Sequence, residues 1–236
     1  MRIDKFLSVT KTASRTEAAK AAKQGRITVN GVPARDCSAH IDENADVICF
    51  DGQAVVYKQF VYIMMNKPSG ILSASTDKKA QTVVDLLPYP YNSMGLFPCG
   101  RLDKDTVGLM ILTNDGPTAH RLLSPKHHVK KSYRFECAEP LPIEAEVAFR
   151  EGITLLDGYE CKSAELTLDA SRCSGTIVLT EGKYHQIKRM IASFSNKVTY
   201  LERISFGGIP LDTSLNRGEW RYFTEGEIAR LLSEGH

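Results

Sequence analysis

The sequence predicts an α+β protein in two modules, a small one over residues 1–57 and a larger one over 58–236. Three observations predict it. The 236 residues exceed one average domain and fall short of two. Charge changes sign early: residues 1–35 hold eight Lys/Arg against two acids, whereas residues 36–59 hold one Lys against five acids. Short apolar runs closed by turn residues, the mark of strands, are interleaved with capped segments of helical composition.

In the first module, Ser14-Arg15-Thr16-Glu17 has the form of a capping box. The Ala-rich run Ala18 to Gln24 propagates a helix, and Gly25 supplies a left-handed stop. Lys20 and Lys23, three apart, share a helical face. Ile27-Thr28-Val29 reads as a strand that turns at Asn30-Gly31 and returns from Val32. A second hairpin is expected from Asp46 to Tyr57 around Asp51-Gly52, followed by a short linker at Lys58-Gln59.

In the second module, Phe60 to Met65 is a strand running into Asn66-Lys67-Pro68-Ser69-Gly70. The segment Gly100 to Gly116 carries the strongest signal. Arg101-Leu102-Asp103 stands just ahead of Gly108 and the apolar run Leu109 to Leu112, which reads as a buried strand ended by Asn114-Asp115-Gly116. A carboxylate at the mouth of such a strand has a rigid support, as a reacting group requires. A short helix follows from Pro117, closed at Ser124-Pro125. From Pro117 to Phe135 there are five Lys/Arg and no acid, Lys130 and Lys131 among them, a stripe that attracts phosphate. Farther on, Ile187, Met190, Ile191 and Phe194 fall on one helical face, while His185, Lys188 and Arg189 fall on another. That helix can be anchored in a core while it presents cations. Thr224-Glu225-Gly226-Glu227 is a capping box that opens a terminal helix.

Composition narrows the functional classes. The six cysteines are scattered without a C-x-x-C pair, and the six histidines show no metal-ligand spacing, so neither a disulfide framework nor a metal is expected. No apolar run approaches the ~20 residues of a membrane span. Met1 to Phe6 leads into no signal region, so a cytoplasmic protein is expected.

Two resemblances follow from these motifs. Arg2-Ile3-Asp4-Lys5-Phe6-Leu7, Ser14-Arg15-Thr16-Glu17-Ala18 and Gly25-Arg26-Ile27-Thr28-Val29-Asn30-Gly31 resemble the S4 RNA-binding domain. The resemblance implies binding of structured RNA by shape and backbone, with Arg15, Lys20, Lys23 and Arg26 as contacts. Lys67-Pro68-Ser69-Gly70, the Asp103 segment, Lys131-Ser132-Tyr133 and Glu181-Gly182-Lys183-Tyr184-His185-Gln186-Ile187-Lys188-Arg189-Met190 resemble, in order, the motifs of the RsuA family of pseudouridine synthases. The resemblance implies a mixed, mostly antiparallel sheet flanked by helices.

It also implies an isomerase that breaks the bond from uracil N1 to the sugar and rejoins the base through C5, without a cofactor. Asp103 would either attack ribose C1′ or remove the 2′ proton; both routes need an ionised carboxylate. Tyr133 would stack on the extruded base, and Lys188 would hold Asp103 charged. Arg101 would fill the gap in the RNA or hold phosphate. Lys130, Lys131, His185 and Arg189 would add RNA contacts. Lys67 and Pro68 would be structural supports, and Asp105 a support of the loop.

Ser124-Pro125-Lys126-His127-His128 looks like the small-subunit enzymes. The expected substrate is therefore a uridine of 16S ribosomal RNA, of the uridine-516 type, in naked RNA or an assembly particle, acted on by a monomer. Other readings are a large-subunit synthase, a noncatalytic RNA-binding assembly protein, and a metal-dependent nuclease built on Asp103, Asp105, Asp115 and His120.

Overall fold

The computed structural model describes residues 1–57 and 59–234; the linker residue Lys58 lies outside the described residues. The chain divides into two compact units, 1–60 and 61–236.

The first unit opens with two helices, α1 (Ile3–Val9) and α2 (Arg15–Lys23). Ser14 begins α2 by accepting the Glu17 backbone N–H. The return bond that would complete a capping box is absent from this helix start. Four short strands follow: β1 (Ile27–Val29), β2 (Val32–Pro33), β3 (Ile48–Phe50) and β4 (Gln53–Ala54), in the order β2-β1-β3-β4. The second hairpin thus pairs fewer residues than the sequence suggested, and β4 stops at Ala54. Ile3, Phe6, Leu7, Ala18, Ala21, Ala22, Ile27 and Ile48 form the core. Alanines on the buried side of α2 let it pack closely, which leaves its long cationic side chains pointing to solvent.

The second unit is built on a nine-stranded sheet. Its elements in chain order are β5 (Tyr62–Lys67), β6 (Phe97–Pro98), β7 (Val107–Thr113), α3 (Gly116–Leu123), β8 (Lys131–Cys137), α4 (Ala145–Glu151), β9 (Glu165–Leu168), β10 (Ser174–Leu179), α5 (Gln186–Ala192), β11 (Val198–Phe206), β12 (Ile209–Pro210), β13 (Trp220–Tyr222) and α6 (Glu225–Ser233). The main strand order is β13-β5-β7-β11-β8-β10-β9, with β6 on β7 and β12 on β11. Every pairing is antiparallel except β7 with β11.

Both faces of the sheet are covered. On one side Ile63, Met65, Met110 and Leu112 join Phe135, Phe149, Ile187 and Met190. On the other, Tyr62, Met64, Leu109 and Ile111 join Ala119, Leu122, Phe206 and Leu231. A strand buried on both faces has no polar alternation, which is why β5 and β7 read in sequence as continuous apolar runs. Asp115 belongs to this frame. It caps α3 by accepting the Thr118 N–H and takes the Tyr62 hydroxyl, so it serves a helix start as well as ending the strand.

The parallel pair positions the site. Parallel neighbours start at the same end of a sheet. The loop before β7 carries Asp103 and the helix before β11 carries Lys188, so the topology brings two distant segments to one end. Gly108 permits the pairing to be close. It has φ +97°, and a Cβ there would lie 2.4 Å from the Arg203 carbonyl oxygen. A side chain at this position would have to push β11 away.

Candidate active site

The Asp103 loop is fixed through its backbone. Lys67, at the end of β5, is fully buried. Its Nζ donates to the carbonyl oxygens of Thr106 (2.8 Å), Pro68 (3.1 Å), Asp103 (3.2 Å) and Lys104 (3.2 Å). The Gly70 N–H donates to the Lys104 carbonyl, and the Thr106 N–H closes a turn onto the Asp103 carbonyl. Ser73 adds a two-way staple: its hydroxyl donates to the Leu102 carbonyl (2.7 Å) and accepts the Leu102 N–H (3.0 Å). Burial pushes the Lys67 ammonium down to about 8, against the opposing pull of the Asp105 and Asp103 charges. Its close partners are dipoles rather than carboxylates, so it acts as a clamp.

The other wall comes from the segment Glu181 to Ala192. Ile187, Met190 and Ile191 bury one face of α5 in the sheet's core, each contributing ~1.5–3 kcal/mol of burial. The turn before α5 is held by a buried network. Glu181 accepts from Gln186 Nε2 (2.6 Å), the Lys162 N–H (2.9 Å) and the Tyr159 hydroxyl (2.9 Å). Gln186 Oε1 in turn accepts the Lys183 N–H (2.9 Å). The network sets the chain so that His185 takes a left-handed backbone, φ 49° and ψ 34°, unusual for a residue with a Cβ. His185 therefore precedes the helix, and the expected helical triplet of His185, Lys188 and Arg189 is replaced by a turn residue and two helical ones.

Between these walls lies an open cleft of about 460 Å³. Leu102, Tyr133, Leu179, Ile187 and Leu201 give it an apolar floor, Arg101, Asp103, Lys183 and Lys188 give it charge, and His185 adds an imidazole. Lys188 Nζ lies 3.1 Å from Asp103 Oδ2 and 2.6 Å from Asp105 Oδ1. His185 Nε2 lies 3.5 Å from Asp103 Oδ1. The Asp103 side chain is 25% exposed and that of Asp105 is 70% exposed. The two carboxylates share one ammonium, but only Asp103 stands within the cleft lining. Burial alone would lower the Lys188 pKa; the bonds and charges of Asp105 and Asp103 outweigh it and hold the ammonium above its ordinary value. Asp105 is held below the usual carboxylate range, first by its hydrogen bond to Lys188. Thr106 also lines the cleft, its hydroxyl buried with no hydrogen-bond partner among the described residues.

The cationic residues singled out in the sequence meet different fates. Arg15, Lys20 and Lys23 are exposed on the first unit. Arg26 is exposed too, but its guanidinium forms a bidentate pair with Asp51 (2.6 and 2.5 Å). Lys130 is exposed and pairs with Glu165, and Arg189 pairs with Asp157. Lys131 requires a correction. It is buried, its Nζ donates to the Val129 carbonyl and lies 5.4 Å from the Phe206 ring centroid, and burial pushes it down to about 8. An ammonium enclosed in this way offers nothing to RNA, so the basic stripe is interrupted there.

Sequence reasoning missed Ser73 and the Glu181–Gln186 network. Ser73 sits in an undistinguished stretch, and nothing local marks it. The network had a signal, because Glu181 precedes a glycine and Gln186, five residues on, opens a helix.

Comparison with known proteins follows the same division. Residues 61–193 match the family model for RNA pseudouridylate synthase, and residues 1–47 match that for the S4 domain. The chain is 42% identical to the uncharacterised RNA pseudouridine synthase YtzG of Bacillus subtilis, over 99% of each chain. It is 39% identical to ribosomal small subunit pseudouridine synthase A of Vibrio cholerae, over 98% of this chain and 99% of that one. A crystal structure of a pseudouridylate synthase, 36% identical, superposes with a TM-score of 0.69 over 98% of this chain and 99% of that one.

Proposed function

Because the chain belongs to the RNA pseudouridine synthase family and carries an N-terminal S4 domain, it is an isomerase acting on RNA, and we propose that its substrate is a uridine of 16S ribosomal RNA, of the uridine-516 type. The observation that carries the proposal is Asp103, on a clamped loop in an apolar cleft, with the Lys188 ammonium 3.1 Å away. Full-length likeness to proteins named ribosomal small subunit pseudouridine synthase A supports the choice of RNA.

In this reading the uridine leaves its stack and enters the cleft, because a base inside folded RNA is otherwise out of reach. Arg101, exposed at the cleft edge, holds phosphate or fills the vacated place. Tyr133, on the apolar floor, packs against the uracil. Asp103 then attacks C1′ or takes the 2′ proton as the N1–C1′ bond breaks. The base turns and a C5–C1′ bond forms as the Asp103–C1′ bond breaks or the 2′ proton returns to the sugar, while N1 gains a proton and C5 loses one. Lys188 pairs with the Asp103 carboxylate and offsets its negative charge beside the sugar. His185 lines the cleft beside Asp103, and Arg189, paired with Asp157, meets the RNA beyond it. Arg15, Lys20, Lys23 and Lys130 meet the RNA backbone.

Tritium release from 5-tritiated uridine in separate 16S and 23S transcripts, with EDTA present, tests this. The native protein should release tritium from 16S RNA, and Asp103→Asn should lower the rate about 10⁴-fold or more while still binding RNA. Release from 23S RNA alone would move the target to the large subunit. Full activity of Asp103→Asn would remove that residue from its role.

A further inference from the structure

Tyr184 follows Lys183 and precedes His185 in the chain, both of which line the cleft, and its own side chain has no part in the core. It is 77% exposed. One face of its ring lies on the His185 imidazole, with centroids 3.8 Å apart and planes 18° from parallel. His185 reaches from the same stack to 3.5 Å from Asp103 Oδ1. A phenol ring, an imidazole and the Asp103 carboxylate thus follow one another from solvent into the cleft.

The turn that carries the ring is held although the ring itself is exposed. Lys183 N–H is held by Gln186, Gln186 by Glu181, and Glu181 by Tyr159 and Lys162. The left-handed His185 is a strained choice of backbone, and strain of this kind persists only where surrounding structure imposes it. A ring so exposed gains little from burial on folding. With one face against His185 and most of its surface open, it presents an ordered aromatic plane beside a site that accepts an extruded nucleotide. Unpaired bases in RNA bind to such planes without regard to sequence, because every base has a π face.

We propose that Tyr184, supported on His185, is a stacking platform for a base flanking the uridine that enters the cleft, and so a positioning residue for the RNA strand. The proposal rests on the cleft's being the uridine site. A neighbouring base stacked here would anchor the strand one ring beyond the imidazole and so add to binding rather than to the chemical step. The hydroxyl of Tyr184 has no role in this, so the phenyl or indole ring should serve equally.

Steady-state tritium release on ribosomal RNA, with Tyr184→Ala, Tyr184→Phe and Tyr184→Trp, tests the platform. Tyr184→Ala should raise KM about 10- to 100-fold with kcat within about twofold of native, and Phe and Trp should restore KM. A ring that merely propped His185 would show itself as a fall in kcat instead. Binding is read separately by the emission of Tyr184→Trp combined with Asp103→Asn, titrated with the same RNA against the Trp220 background. Quenching on binding supports stacking. Unchanged KM in Tyr184→Ala, failure of Tyr184→Phe to rescue, or RNA binding without quenching would each overturn the proposal. Asp103→Asn alone is the separate check: if it turns over uridine, the reading of the cleft fails whatever Tyr184 does.

Discussion

Two lysines hold the Asp103 loop, and they do so by different physics. Lys67 is sealed inside the sheet and grips the loop's backbone through carbonyl oxygens. Lys188 stands at the edge of the cleft and meets the loop's side chains, Asp103 and Asp105. The difference lies in what each ammonium is given in exchange for water. Oriented dipoles around a buried charge fix geometry, whereas carboxylates around a half-buried one fix charge. The first arrangement is a structural part and the second a chemical one, although both residues touch the same turn, Asp103 to Thr106.

The largest effect should come from breaking the backbone grip. Lys67→Met leaves inward-facing carbonyls without their donor. It should destabilise the unit by about 3 kcal/mol, read from denaturant unfolding. It should also lower turnover about 100-fold or more, because the Asp103 carboxylate drifts. Next comes the charge grip. Lys188→Met should cost about 100-fold in kcat with little change in melting temperature, since one side of its pairing is solvent-screened. If these two variants lose stability and activity in the same proportion, the distinction between them collapses.

Asp105→Asn sharpens the comparison further. It gives Lys188 wholly to Asp103, so kcat should stay within about fivefold of native in the tritium assay; a loss as deep as that of Asp103→Asn would make Asp105 a second essential carboxylate. The smallest effect concerns Lys131, another buried ammonium, pushed down to about 8. Below pH 8 its charged form is paid for in the fold. Between pH 8 and about 10.5 the unfolded chain binds more protons than the folded one, so that cost fades as pH rises. Any gain in melting temperature of Lys131→Met over native should therefore be greatest at pH 7 and shrink above pH 8. A gain that grew with pH would contradict the burial of that ammonium.

Much of the frame was legible in the sequence, because local pattern determines it. β5 and β7 announce themselves as uninterrupted apolar runs, α6 by its capping box, and α5 by the spacing of Ile187, Met190 and Ile191. Asp103 stood out because a charged turn precedes a buried strand. What escaped depends on contacts made across the sheet. Nothing near Lys131 says that its stem will turn inward beside Phe206, and nothing near Asp105 says that Lys188 will approach it more closely than it approaches Asp103. The Ser73 staple joins residues 29 apart. Arg26 looked like a bare cation until the Asp51 turn was folded beside it. Local chemistry names the residues, and only the topology assigns their partners.

The pairing of β7 with β11 has a consequence for how activity is acquired. Lys188 and Asp105 meet across 83 residues of chain, and the neighbouring strands that bring them together are the sheet's one parallel contact, the kind whose long loops close slowly. A chain that has formed its hairpins but not yet joined these two strands has each half of the site and no working centre. Turnover is therefore a late sign of maturation: in refolding, recovered tritium release should lag behind recovered secondary structure, and immature copies should leave RNA unmodified.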